Sequence, residues 1–151
     1  MPARRKTWTE KLADDKGLPK KIRLEGKAAL KWGHGTMLIP APREVDEAMR
    51  SVKRGEFVTI NDLRTGLAEK HDADLGCPIT TGIFAWIASH AAAEQEAAGK
   101  KRVTPWWRTV KNGHELNPKY PGGCEEQARR LRAEGHRVEQ KGKRWVVVAP
   151  K

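Results

Sequence analysis

Val45, Met49 and Val52 recur three and four residues apart through "REVDEAMRSVKRG", with charged residues between them. This spacing predicts an amphipathic helix that begins near Pro42 and stops at Gly55. "EFVTIND" reads as a brief extended segment, after which Thr59 or Asn61 can cap a second helix, "DLRTGLAEKH". Leu63 and Leu67 share one face of it. The turn-rich "DADLGCP" leads into "ITTGIFAWIASHAAAEQEAAG", the strongest helical pattern in the chain, with Ile83, Trp86, Ile87 and Ala91 expected on one side. Helix, short connection, second helix and basic loop make the outline of a helix-turn-helix unit, an outline that suits many small helical domains.

The flanks are less regular. A short helix is expected over Trp8–Asp15, capped by Thr7 or Thr9, followed by an extended basic arm in "KGLPKKIRLEG". "GHGTMLIPAP" reads as loop with a short strand. Beyond residue 110 the chain is dense in turn residues, then gives a helix with a basic outer face, "CEEQARRLRAEG", and a closing β-hairpin around Lys141-Gly142-Lys143. The fold class expected is mainly α with small β elements. Its parts are a basic N-terminal arm (1–40), a helical domain (41–138) and a hairpin strand packing on that domain (139–151).

Charge changes the picture. Residues 1–31 hold ten Lys/Arg against four Asp/Glu, a net +6. Residues 32–99 hold six against ten, a net −4, and residues 100–151 hold fourteen against five, a net +9. Two basic ends around an acidic middle point to an anionic polymer, and nucleic acid is the expected partner. No stretch approaches the roughly 20 apolar residues of a membrane helix. Two cysteines give no disulfide framework, and no apolar segment follows the N-terminal basic residues, so a cytoplasmic location is expected. Five scattered histidines lack ligand spacing, and neither metal nor cofactor is expected.

In order and spacing, five pieces resemble the DNA-binding domain of the O6-alkylguanine–DNA alkyltransferases and their alkyltransferase-like relatives. "VKRGEFVTINDL" resembles the phrase that opens that family's helix-turn-helix, and "PITTGIFAWI" sits where its recognition helix belongs. "PWWRTVKNG" falls on the family's Pro-Cys-His-Arg-Val-Val motif. "ELNPKYPGG" resembles its Gly-Tyr-x-Gly-Gly loop, and "RRLRAEG" its Leu-Leu-x-x-Glu-Gly ending. The resemblance runs from about Val45 to Val138 and implies a winged helix-turn-helix-like domain with the C-terminal hairpin added.

What the chain lacks is that family's chemistry. Alkyl transfer needs a thiolate acceptor activated by a neighbouring base. Trp106 stands at the Cys position and Trp107 at the His position, and an indole supplies one N–H donor and no nucleophile. The resemblance therefore implies no catalytic residue; only Cys77 or Cys124 moving into the pocket would restore one. Two further departures concern base extrusion: Ile60 stands at the family's Tyr position, and Thr80 and Thr81 lie where its Arg finger would be. Alkyltransferase-like proteins carry Trp or Ala in place of the Cys, bind alkylated guanine without repairing it and mark it for other repair enzymes. Trp106 fits that pattern; Trp107 does not, since those relatives generally keep His.

The base-pocket candidates implied are Ile60, Pro105, Trp106, Trp107, Arg108, Tyr120 and Glu134, with the tryptophans read either as a wall for a purine or as a plug. Arg108 and Glu134 are expected to hold the motif loop. For duplex contact the candidates are Thr80, Thr81 and Ser89 on the recognition helix, and Lys100, Lys101 and Arg102 after it. Arg129, Arg130 and Arg132 read as a solvated helix face, and the N-terminal basic residues either wrap DNA or do nothing ordered. Three functions stand against one another. The first is a non-enzymatic alkyltransferase-like protein that binds double-stranded DNA, with alkylated guanine and repair proteins as further partners. The second is a general winged-helix DNA binder with a closed pocket, and the third an alkyltransferase with an unusual acceptor.

Overall fold

The computed structural model describes residues 6–148. The fold is mainly α with small β elements, and three apolar clusters organise it. The largest is built by four helices: α1 (Trp8–Ala13), α3 (Pro42–Arg50), α4 (Ile60–Lys70) and α5 (Pro78–Ala97). Leu12, Val45, Met49, Leu63, Leu67, Phe84, Ile87, Ala88 and Ala91 meet there, together with Trp106 and Tyr120. The helices start where local chemistry favours it. Thr7 caps α1 by accepting the Glu10 N–H, and the Glu10 carboxylate accepts the Thr7 N–H in return. Thr59 accepts the Asp62 N–H at the head of α4. Pro42 and Pro78 occupy the first turns of α3 and α5, where the missing N–H costs nothing.

The segment expected as an extended basic arm is ordered over its described residues. It forms β1 (Lys20–Leu24), α2 (Gly26–Trp32) and β2 (Gly35–Ile39), while residues 1–5 lie outside the described part. β1 pairs antiparallel with β2, and β2 pairs in parallel with the two-residue β4 (Leu75–Gly76), giving the order β1-β2-β4. Leu24, Ala29 and Met37 form a small core under this layer, with Trp32, Leu75 and Cys77 packed on it. Burial of these side chains turns a polar, weakly patterned stretch into sheet and helix; propensity alone gives no sign of it. Because β4 runs directly into α5, the layer sits at the start of that helix.

The third cluster belongs to α6 (Gly123–Ala133) and the hairpin of β6 (Arg137–Lys141) and β7 (Arg144–Val148). Val110, Leu116, Ala128, Leu131, Val138 and Val147 fill it. Lys141 faces Arg144 in the register, so Gly142 and Lys143 make a two-residue turn, and Gly142 takes the positive φ (64°) that such a turn requires. A parallel pairing of β3 (Val58–Thr59) with β5 (Thr109–Val110) ties the head of α4 to the chain that follows the tryptophans.

Candidate nucleic-acid interface

Trp106 and Trp107 open a short 3-10 turn, Trp106–Arg108, which aims the neighbouring rings at different cores. Trp106 is 1% exposed and sits in the helical core, edge-to-face with Tyr120 at a centroid distance of 5.8 Å. Trp107 packs between the helical core and the α6–hairpin core, its ring nearly perpendicular to that of Trp106 (87°). The pair is a two-sided plug joining the two cores.

A network of charged and polar side chains holds the plug. The Trp107 indole N–H donates to Glu134 Oε2 at 3.0 Å. Arg108 meets the same carboxylate through Nε (2.9 Å) and Nη2 (2.7 Å), and donates through Nη1 to the Val52 carbonyl (2.7 Å). Burial pushes the Glu134 carboxyl up, but hydrogen bonds from Arg108 and Trp107 outweigh it and hold the group below its ordinary range. Gln127, fully buried, donates to the Trp107 and Thr109 carbonyls and accepts the Asn117 N–H. Asp46, also buried, accepts from Thr104 at 2.5 Å and from Arg50 at 3.0 Å, pinning the loop ahead of Pro105 to α3. The expectation that Arg108 and Glu134 hold the motif loop matches this geometry.

Arg130 departs from the sequence reading. Its side chain is 18% exposed, and its guanidinium carbon lies 5.3 Å from the Trp106 ring centre and 4.9 Å from that of Trp107. Glu96 and Glu126 neutralise it from two sides. A run of arginines looks solvated in sequence, yet this one is drawn over two indole faces by cation–π attraction and paired charge. Arg129 is the exposed member, bound to Glu126, and Arg132 donates to the Val138 carbonyl.

The candidates for base or duplex contact divide sharply. Tyr120 is 4% exposed, and burial raises its phenol well above the ordinary value. Ile60 is half-buried against the helical core and Pro105 is half-buried, so neither projects as a wedge. The hydroxyls of Thr81 and Ser89 donate to the helix's own carbonyls at Cys77 (2.7 Å) and Trp86 (2.6 Å), and both residues are buried. On α5 those two positions face the core, which removes them as duplex contacts. Thr80 is half-buried, with its hydroxyl enclosed. Lys100, Lys101 and Arg102 are exposed, and the last two border a shallow hollow beside Arg108 and Trp107.

Of the large apolar residues that project from α5, Ile83 and Trp86 are ones the periodicity misassigned. Ile79, Ile83 and Trp86 are 57%, 45% and 36% exposed, whereas Phe84, Ile87, Ala88 and Ala91 are buried. An apolar stripe thus faces outward at spacings of four and three, ending at His90. α5 is apolar nearly all round, so periodicity could not choose its inner face. With Lys111, Asn117, Pro118 and Lys119 opposite, the stripe borders an open hollow of about 860 Å³. Both lysines are exposed, and neither has an ion-pair partner among the described residues.

Trp86 is held in place from behind. Trp8 meets it edge-on at 4.8 Å and stacks on His90 at 4.6 Å, and His90 Nε2 contacts the Lys119 carbonyl at 2.9 Å. Glu94 fixes the start of α1 by accepting from the Trp8 and Thr9 N–H groups and from the Thr9 hydroxyl. Glu94 and Glu96 are thereby both engaged with protein, away from the hollow. Cys77 packs under the β1-β2-β4 layer and Cys124 against the α6–hairpin core, and neither belongs to the cluster that holds the Trp106 ring. Burial, aided by Glu115, pushes the Cys124 thiol up.

No family model and no curated protein matches this sequence. Among solved structures the chain is similar to the crystal structure of S. pombe Atl1 in complex with damaged DNA containing O6-carboxymethylguanine. The identity is 16%, the similarity covers 71% of this chain and 87% of that one, and the TM-score is 0.49.

Proposed function

We propose that this chain is a non-enzymatic protein of the alkyltransferase-like kind that binds duplex DNA through the outer face of α5 and the loops beside it. The observation that carries this reading is the contrast between the acceptor position and the hollow. The acceptor position holds a buried indole in place of a thiol, while the hollow presents apolar side chains facing two lysines that have no ion-pair partner among the described residues. Lysine ammonium groups meet phosphates, and exposed Ile and Trp side chains suit sugar and base faces. A raised thiol pKa leaves Cys124 mostly protonated at neutral pH, which supports the absence of an acceptor.

Selective recognition of O6-alkylated guanine is a second reading, favoured by one feature. Trp86 is a partly exposed indole set by two neighbouring rings, at the edge of a space large enough for an extruded nucleotide. On this reading Trp86, not Trp106, is the stacking wall. Repair proteins would then be the downstream partners.

Fluorescence anisotropy with duplexes differing only in one O6-methylguanine, at two salt concentrations, tests both readings. Binding that weakens with salt supports the first. A tenfold preference for the lesion, about 1.4 kcal/mol, supports the second. Absence of binding to either duplex overturns both. A gain in protein mass equal to the alkyl group, after incubation with alkylated DNA, would show an acceptor and overturn the non-enzymatic assignment.

A further inference from the structure

We infer that the β1–α2 layer is a second DNA-binding surface, which grips the phosphates of the duplex beyond the end of α5; this rests on the duplex-binding reading above. Lys20, Lys21 and Arg23 on β1 and Lys27 and Lys31 on α2 are all exposed. None of the five makes an ion pair or a side-chain hydrogen bond among the described residues. Elsewhere the molecule pairs its arginines closely, with Arg43, Arg50, Arg108, Arg129, Arg130 and Arg137 each on a carboxylate. Within residues 20–32 the sole acid is Glu25, so the layer is a concentrated and uncompensated positive patch.

Its position commits it to nucleic acid. β1 is the outer strand of the β1-β2-β4 sheet, and β4 enters α5 through Cys77, whose N–H donates to the Leu38 carbonyl of β2. The patch is therefore joined rigidly to the first turn of α5, where the apolar stripe begins at Ile79. The outward stripe of α5 runs from Ile79 to His90, about 16 Å of helix and so less than one turn of duplex. Cations carried beyond its N-terminal end reach phosphates outside that stretch. An anionic membrane would also attract five cations. However, α2 has seven residues and one strongly exposed apolar side chain, Leu30, too little to anchor in a bilayer. Lysines on an edge strand also discourage edge-to-edge pairing, but that role does not call for Lys27 and Lys31 on a helix.

The test compares the full chain with the variant K20Q/K21Q/R23Q/K27Q/K31Q on duplexes of one and of two helical turns, over a salt series. On the long duplex the slope of log K against log salt should fall by roughly 0.9 for each cation that meets a phosphate, and by about 2 or more in total. On the short duplex the two proteins should differ much less. K27Q/K31Q alone, on the exposed face of α2, should lose about half the effect, which guards against misfolding of the larger variant. Equal slopes on the long duplex overturn this surface while leaving α5 as the interface. The surface is also overturned if the variant self-associates yet binds DNA unchanged, or if the cations are needed for anionic vesicles alone. If the unmodified chain binds no duplex, the duplex-binding reading itself has failed and takes this surface with it.

Discussion

The tryptophan motif and the outer face of α5 are built from similar residues and finished in opposite ways. Around Trp106 and Trp107 the cations are neutralised: Arg108 by Glu134, Arg130 by Glu96 and Glu126. Along α5, Trp86 stands partly in solvent, and the facing Lys111 and Lys119 have no carboxylate partner among the described residues. Neutralised charges around buried rings make a rigid joint. Cations left without a carboxylate beside exposed apolar surface are the reverse, a surface with contacts still to make. Position in a motif therefore says where a family does its chemistry, while the pairing of charges says where this chain has binding capacity left over.

Trp106→Ala should separate the two regions most forcefully. Emptying the joint should cost roughly 3–5 kcal/mol of stability, as large-to-small substitutions of buried aromatic residues do. DNA affinity of the folded fraction should stay unchanged. Denaturant unfolding followed by anisotropy at low temperature checks both, and a selective loss of DNA binding would place the site back at the motif. Trp86→Ala should do the opposite. It should lower the unfolding midpoint much less than Trp106→Ala, through lost contacts with Trp8 and His90, and weaken binding by roughly 1–3 kcal/mol, the range for a lost base–aromatic contact.

The smallest expected effect concerns acid. Hydrogen bonds from Arg129 and then Arg130 hold the Glu126 carboxyl at about 2, below its ordinary 4.5. A carboxylate depressed on folding contributes stability that is present above pH 4.5 and is lost as pH falls toward 2, because the unfolded chain binds the proton first. Glu126→Gln should therefore flatten the dependence of stability on pH between about 4.5 and 2. An unchanged acid limb in pH-dependent unfolding would show that Arg130 is held by Glu96 and the indole faces instead.

Much of this architecture could be read in the chain. Thr59 as a cap, Leu63 and Leu67 on one face, and the turn at Gly142 each follow from a local rule that tertiary packing then respected. β1 and α2 could not be read, because "KKIRLEGKAALKW" buries only Leu24 and Ala29 and leaves no period to find. The faces of α5 failed for the opposite reason: apolar residues surround the helix, so Ile83 and Trp86 were grouped with Ile87 although they point outward. At the site, the motif correctly gave Arg108 and Glu134 a holding role. It could not reveal Arg130 over the rings, Gln127 beneath them, or Lys111 and Lys119 across the hollow, since those meetings join segments far apart in sequence.

The splint that α1 applies to Trp86 has an entropic consequence. Glu94 anchors the first turn of α1, and Trp8 then presses on Trp86 and His90, so the rotamers of a large side chain at the hollow are chosen when the chain folds. The cost of ordering that indole is met before any ligand arrives. Without the six-residue helix, the same contacts would remain available to a ligand, but their ordering would be charged to association. Pre-organisation of the outer face of α5 is thus a contribution of the N-terminal segment, made by residues that do not themselves line the hollow.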